Sequence, residues 1–375
     1  MAKTSVRVRM YHVGFGDCFL LTLPGPRYVL VDCGVHPQGD LHAMADVVQD
    51  IIAVTGNHVH LVVCTHRHTD HISGFGKEAA RFNQLHVDEV WLPWTEDPND
   101  PAAVQLRKQH DLLAHALEAA NPQLAPFALN NATNQDAMTV LLSGFAQQPR
   151  RRFLSADSGE ITTAVLPGIQ VHVLGPPRSE EYLKQMDPPN KESYLALLSG
   201  GDGARDHGPF PAHWHLAPQV ARQLFAAELK GRPLLKTSGN LSEDLAFALD
   251  QAINNTSVVL LLRVGKARLL LPGDAQWGNW LSFLENSDIT AELKAVDFYK
   301  VSHHGSHNGT PRRAVDAMGK LKSMVSTQSQ PWPSIPQLPL LTALQQHGPV
   351  VRSDKGTVAA GFTKGKFWID LDLPC

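Results

Sequence analysis

Three short runs near the start of the chain, Val6 to Met10, Cys18 to Leu23 and Tyr28 to Asp32, are apolar or alternate apolar with polar residues, and Gly14, Gly16 and Pro24-Gly25-Pro26 punctuate them. A two-residue period between turn formers predicts successive antiparallel strands joined by tight turns. The period then changes. Leu41, Met44, Ala45, Val48, Ile51 and Ile52 share one helical face across residues 41–55, and His58 to Thr65 read as a strand again. Strand, helix, strand marks an α/β unit, whose ligand sites favour the C-terminal ends of the strands.

Helical spacing recurs over 102–120 and 216–230, whereas Leu129 to Asp136 and Gly200 to Gly208, rich in Asn, Gly and Asp, read as loops. Ser242 suits the N-cap of a helix running through Ile253. The stretch SVVLLLRVGKARLLLPGD reads as a hairpin that turns at Gly265-Lys266 and ends at Asp274. Phe298 to Ser302 form a further strand, Leu338 to Gln346 a helix, and Gly361 to Leu371 the closing strands. No internal repeat of fixed period interrupts this order.

With 375 residues, 43% of them hydrophobic, the chain has enough apolar mass for a large core. A formal charge of -3 gives no global basic field for gripping long duplex nucleic acid. Cys18, Cys33, Cys64 and Cys375 lack metal-finger spacing, and three of them lie in apolar runs, so they read as reduced core fillers suited to a reducing compartment. The first residues alternate like a strand rather than forming an apolar leader, and no run is long enough to span a bilayer. The expectation is a cytoplasmic protein with no membrane partner.

The chemistry concentrates in CTHRHTDH at 64–71, where His66, His68, Asp70 and His71 follow an apolar strand. In a sharp loop, an H-x-H pair can grip one cation through two imidazoles while the D-H pair turns to a second. Two more strands end in potential ligands, Asp274 after LLLPG and the HHGSH run at 303–307. Zn²⁺ or Mn²⁺ held with an open position lowers the pKa of bound water to roughly 7, so hydroxide is available for hydrolysis at neutral pH.

THRHTDHISG resembles the HxHxDH signature of the metallo-β-lactamase superfamily, and the family's other pieces follow in order. The resemblance implies a four-layer αββα sandwich of two sheets with helices outside, spanning 1–375 as one domain. Residues from about 95 to 250 would be an enlarged insertion partly covering the cleft. It implies one or two ions of Zn²⁺ or Mn²⁺ on His66, His68, Asp70, His71, Asp274 and His303, with His303 favoured over its neighbour His304 as ligand. Asp70, Asp274 and His304 take the catalytic roles, with Asp32 of LVDCG supporting the metal loop and Asp17 of GFGD supporting a histidine or capping its turn.

YHVGFGDCFLL, NNTSVVL, LLPGDA and KVSHHGS together resemble the hydrolase domain of the DNA-uptake channel protein ComEC and its stand-alone soluble relatives. That subgroup implies a phosphodiesterase or nuclease-like activity on nucleic-acid ends, single strands or nucleotides, with Asn255, Ser257 and Lys300 meeting phosphate oxygens. Two departures stand out. STQSQPWPSIPQ at 326–337 carries no histidine where the family often has one. NNTSVVL carries Asn255 and Ser257 where most binuclear members supply a third imidazole to the first metal, so water or a histidine such as His172, His213 or His215 would complete that site. The alternatives are a lactonase, thioesterase or β-lactamase-like hydrolase of the same fold, or a non-catalytic metal-binding component of a multi-protein system whose protein partners are unknown.

Overall fold

In the computed structural model, which describes residues 5–39, 43–108, 110, 134–194, 253–330 and 332–375, alternation along each strand decides which layer a side chain enters. On β3 (Arg27–Cys33), Val29 and Val31 face a core between two sheets, while Leu30 faces helices on the far side. Each fully buried Val or Leu is worth about 1.5–3 kcal/mol relative to leaving it in water. A one-residue slip would send Val29 and Val31 to the helix layer and Leu30 to the inner core, upsetting both packings at once.

The first sheet begins with β1 (Ser5–Tyr11), β2 (Cys18–Leu23) and β3, paired antiparallel as the alternation predicts. The helix Met44–Thr55 then carries the chain to β4 (His58–Val63), which pairs parallel to β3, followed by β5 (His86–Pro93) and β6 (Arg150–Leu154). The second sheet holds β7 (Gly159–Ile161), β8 (Gln170–Gly175), β9 (Val259–Val264), β10 (Ala267–Leu271), β11 (Phe298–Lys300), β12 (Lys322–Val325) and β13 (Val350–Arg352). The chain returns to the first sheet with β14 (Phe362–Lys364) and β15 (Trp368–Pro374), beside β1. The orders are β14-β15-β1-β2-β3-β4-β5-β6 and β13-β12-β11-β10-β9-β8-β7.

The inner core runs from Val8, Phe19 and Leu61 of one sheet to Leu260, Leu269 and Phe298 of the other. Helices Met44–Thr55, Thr69–Lys77 and Gln135–Ser143 cover the outer face of the first sheet through Val48, Phe75 and Leu141. Helices Trp277–Leu284, Ser287–Leu293, Arg312–Ala317 and Leu338–His347 cover the second through Trp280, Leu293, Val315 and Leu344. This is the expected αββα arrangement of four layers.

The hairpin β9–β10 turns at Gly265-Lys266 as predicted. The helix Gln135–Ser143 begins inside a segment that reads as a loop, because its Asn- and Asp-rich lead masks the face of Ala137, Met138 and Leu141. Within the expected insertion of about 95–250, residues 150–154 and 159–175 supply β6, β7 and β8 to both sheets, so this part is framework rather than cover. The expected helix at 216–230, the later part of that at 102–120, the Gly200–Gly208 loop and the Ser242 cap lie outside the described residues. All four cysteines are free thiols, and burial pushes those of Cys18 and Cys64 up. Among the described residues no helix is long and apolar enough to cross a membrane.

Candidate metal centre

Parallel pairing places the site. β3 and β4 run together, as do β10 and β11, so their C-terminal ends open on one edge of the sandwich, where Val258 N–H donates to Thr65 O across the two sheets at 2.9 Å. Past β4 the chain passes Thr65, His66 and Arg67 and enters the helix Thr69–Lys77, with Asp70 and His71 on its first turn. Gly34 packs directly beneath: a Cβ there would lie 2.4 Å from the His71 carbonyl carbon, so only glycine permits the approach.

Asp32, with φ of 54°, turns its carboxylate into the metal loop. Its Oδ1 accepts from Thr65 N–H at 2.8 Å, and its Oδ2 accepts from Thr65 Oγ1 at 2.6 Å and from His71 Nδ1 at 2.8 Å. Bonding at Nδ1 directs the other ring nitrogen of His71 at the cluster. His304 is held in the same way, its Nδ1 donating to Ser326 O at 2.9 Å.

Asp70, His71, Asp274 and His304 therefore converge, all buried, with one potential ligand atom from each within 4.8 Å of the others. His71 Nε2 lies 3.1 Å from Asp274 Oδ2 and 3.9 Å from Asp70 Oδ2, while His304 Nε2 lies 3.1 Å from Asp70 Oδ2 and 3.2 Å from Asp274 Oδ2. Four donors around a tetrahedral ion at ~2.0–2.1 Å would stand about 3.3 Å apart, so this set fits a divalent cation. His71 Nε2 supports the fit, since despite its distance to Asp274 it makes no hydrogen bond.

Charge in this buried site is tightly coupled. Burial alone would push His304 down, but Asp274 and Asp70 beside it hold it up at about 10. His71 is likewise raised against its burial by Asp274, Asp70 and Asp32. Burial would raise both carboxylates, yet the facing imidazoles hold Asp70 and Asp274 below the usual carboxylate range. The two carboxylates thus favour positive charge beside them, which a cation would supply.

The other predicted ligands form a thinner group. His66 Nε2 and His68 Nδ1 face each other at 3.1 Å, and His66 Nδ1 sits 3.1 Å from Thr65 Oγ1 and 3.2 Å from Ser257 Oγ. His66 is held well below its ordinary value by burial and by the neighbouring His71 and His68. A neutral imidazole with its Nδ1 tied to hydroxyls is what a metal ligand requires. His172 is elsewhere, beside Glu160 and Glu292, and His213 and His215 lie outside the described residues.

Several sequence expectations are corrected here. His304 rather than His303 enters the cluster: both residues have left-handed backbone, with φ of 52° and 48°, and the kink turns the His303 ring to Asn308 Oδ1 at 2.9 Å. Lys300 does not face a substrate. It is 2% exposed, pairs with Asp17, lies 3.1 Å from Asp274 Oδ1 and donates to Gly273 O at 2.8 Å. Asp17 thus serves Lys300, since it stands 3.7 Å from the His71 and His304 rings, beyond hydrogen-bond reach. Asn255 is spent on packing, donating to Leu183 O and Gln185 O and accepting from Gln276 N–H and Asn279 N–H. Ser257 Oγ accepts from Asp274 N–H at 3.1 Å and touches His66, so it braces the ligands instead of meeting phosphate.

Sequence reasoning missed the supports. Thr65 links Asp32 to the loop, and Asn134 Nδ2 donates to Arg67 O at 2.6 Å from the start of the helix Gln135–Ser143. Phe15 packs on the His304 ring at 4.4 Å and on Trp332 at 4.7 Å, forming an aromatic wall beside the cluster. The apolar residues flanking Gly14 and Gly16 were the only signal for that wall.

The sequence model of the metallo-beta-lactamase superfamily matches residues 12–131. No curated protein sequence matches the chain. Among solved structures, the chain is similar to the metallo-beta-lactamase fold protein YhfI from Bacillus subtilis, with 10% identity, a TM-score of 0.41, and 95% of this chain and 99% of that one covered. It is similar also to Zn²⁺-bound PqqB from Methylobacterium extorquens, with 13% identity, a TM-score of 0.40, and 92% and 86% covered. The match to the metallo-beta-lactamase superfamily model thus covers the part of the chain that carries the HRHTDH loop.

Proposed function

We propose that this chain is a metal-dependent hydrolase of phosphodiester bonds, working with one or two Zn²⁺ or Mn²⁺ ions. The observation that carries the reading is the convergence of Asp70, His71, Asp274 and His304 in one buried cluster, with the far nitrogen of each imidazole tied to an acceptor. A divalent cation held there would supply Lewis-acid polarisation of the scissile group and a lowered pKa for the attacking water.

The protein's own groups divide the remaining work. Lys300 holds Asp274 Oδ1 and Ser257 Oγ holds its backbone N–H, which fixes Oδ2 toward the cluster. The Asp70 side chain is 10% exposed against 2% for Asp274, so Asp70 is the carboxylate nearer to water and the one placed to orient it. His304 Nε2 stands 3.1 Å from Asp70 Oδ2 and fixes its position. Nucleic-acid ends, single strands and nucleotides are the substrates in view, supported by the resemblance of YHVGFGDCFLL, LLPGDA and KVSHHGS and by the absence of a global basic field for long duplexes.

The test sets bis-p-nitrophenyl phosphate beside a lactone and a thioester, using metal-loaded protein. The expected result is metal-dependent diester turnover that Asp70→Ala lowers by about 10²-fold or more while the protein stays folded. Lactone or thioester turnover with no activity on any diester, including short single-stranded DNA and RNA and cyclic dinucleotides, would overturn the substrate class.

A further inference from the structure

The turn that carries His304 is strained, and part of what holds it lies outside the metal cluster. His303 and His304 are consecutive residues in the left-handed region, with φ of 48° and 52°, which residues other than glycine visit rarely and keep only when their surroundings hold them there. Gly309 packs behind the turn, where a Cβ would lie 2.6 Å from that of His303. Relaxation of either histidine to ordinary backbone would swing the His304 ring away from Asp70 Oδ2 and Asp274 Oδ2, which now lie 3.1 and 3.2 Å from its Nε2.

The far limb of the turn is fastened by Asp187. Its Oδ1 accepts from Asn308 Nδ2 at 3.2 Å and lies 3.0 Å from His307 Nε2. An ionised carboxylate only accepts, so it draws the Nδ2 end of the buried Asn308 amide toward itself and leaves Oδ1 to meet His303 Nδ1 at 2.9 Å. The carboxylate is presented from a stiff segment. Pro188 and Pro189 follow Asp187 and keep the chain extended. Just before it, Gln185 O accepts from Gly278 N–H at 2.7 Å and from Asn255 Nδ2 at 2.8 Å, and beyond it Glu192 Oε2 accepts from Arg313 N–H at 3.1 Å. The Asp187 side chain is 53% exposed, so core packing does not account for it.

We infer that Asp187 is a positioning residue for His304: through Asn308 and His307 it clasps the HHGSHN turn and keeps the His304 imidazole aimed at the metal. This rests on the reading of Asp70, His71, Asp274 and His304 as metal donors. The segment between β8 and β9 thereby takes part in the site through Asp187, which is not itself a ligand.

Titration with Zn²⁺ in competition with a chromophoric chelator reads the affinity apart from turnover. Asp187→Ala is expected to weaken the tight site by about tenfold, which leaves the metal content at saturating Zn²⁺ unchanged. Asp187→Asn keeps an acceptor oxygen for Asn308 and His307 and is expected to stay within about threefold of the unmodified protein. In a His304→Ala background, Asp187→Ala should weaken Zn²⁺ binding no further, since its effect runs through that ring. Asp187→Asn as weak as Asp187→Ala would mean that the charge itself attracts the ion, and overturns the clasp. So does an equal loss in the His304→Ala background, or a lowered melting temperature of chelated Asp187→Ala protein with unchanged Zn²⁺ affinity. Each of these leaves the metal reading standing, whereas an unmodified protein that binds no Zn²⁺ overturns that reading and the clasp with it.

Discussion

The two halves of the candidate metal centre are built to different standards. On one side Asp70, His71, Asp274 and His304 bring four donors together, and each imidazole is oriented from outside the cluster, by Asp32 for His71 and by Ser326 O for His304. On the other side His66 and His68 meet at 3.1 Å, with Ser257 Oγ at the position nearest His66 Nδ1. A tetrahedral ion needs three or four protein donors for tight binding, so the first half has donors enough for a site by itself, while the second would need water or a shared carboxylate. On the proposed reading, the four-donor side is expected to load first.

The largest effect is expected from the support of the stronger half. Lys300 is buried against Asp17 and Asp274, and its pKa is raised because those carboxylates outweigh burial. Lys300→Met leaves two buried carboxylates without their cation, which costs about 3–5 kcal/mol. Denaturant unfolding would show this as a lower midpoint. A Lys300→Met protein of unchanged stability with a raised KM for charged esters alone would restore the substrate-contact role that the sequence implied.

Acidity offers a smaller effect with a defined window. His304 is raised to about 10 in the folded protein from an ordinary value near 6.5, so its contribution to stability is fully present below about 6.5 and is lost as pH rises through 10. Chelator-treated protein should therefore lose melting temperature between about pH 7 and 10. Metal-loaded protein should not, because the cation has replaced the proton, and metal uptake should release protons across the same window. A chelated protein with a flat profile would mean that the carboxylates do not hold that proton.

The strands and the strand-end positions were legible in the sequence because hydrophobic period and ligand spacing are local patterns, while the layers were implied by the resemblance alone. Val29, Leu30 and Val31 announce a strand buried on both faces, and HRHTDH announces a loop dense in metal donors. What escaped depends on tertiary contact. Nothing in KVSHHGS tells which histidine turns inward, since the choice rests on left-handed backbone at both residues. Lys300 follows the apolar pair Phe298-Tyr299 and Asn255 lies in the polar run NNTS, and either setting suits a substrate contact or a buried brace equally. Only the partners that surround them in the fold separate the two roles.

His304 is the ligand that closes the four-donor cluster, and metal analysis of two alanine variants tests that role directly. After equal reconstitution with Zn²⁺, His303→Ala should retain the metal content of the unmodified protein, because its ring bonds Asn308 outside the cluster. His304→Ala should lose at least about half of an equivalent, as expected when one of four donors to a tight site is removed. Loss of metal in His303→Ala together with full retention in His304→Ala would contradict the assignment.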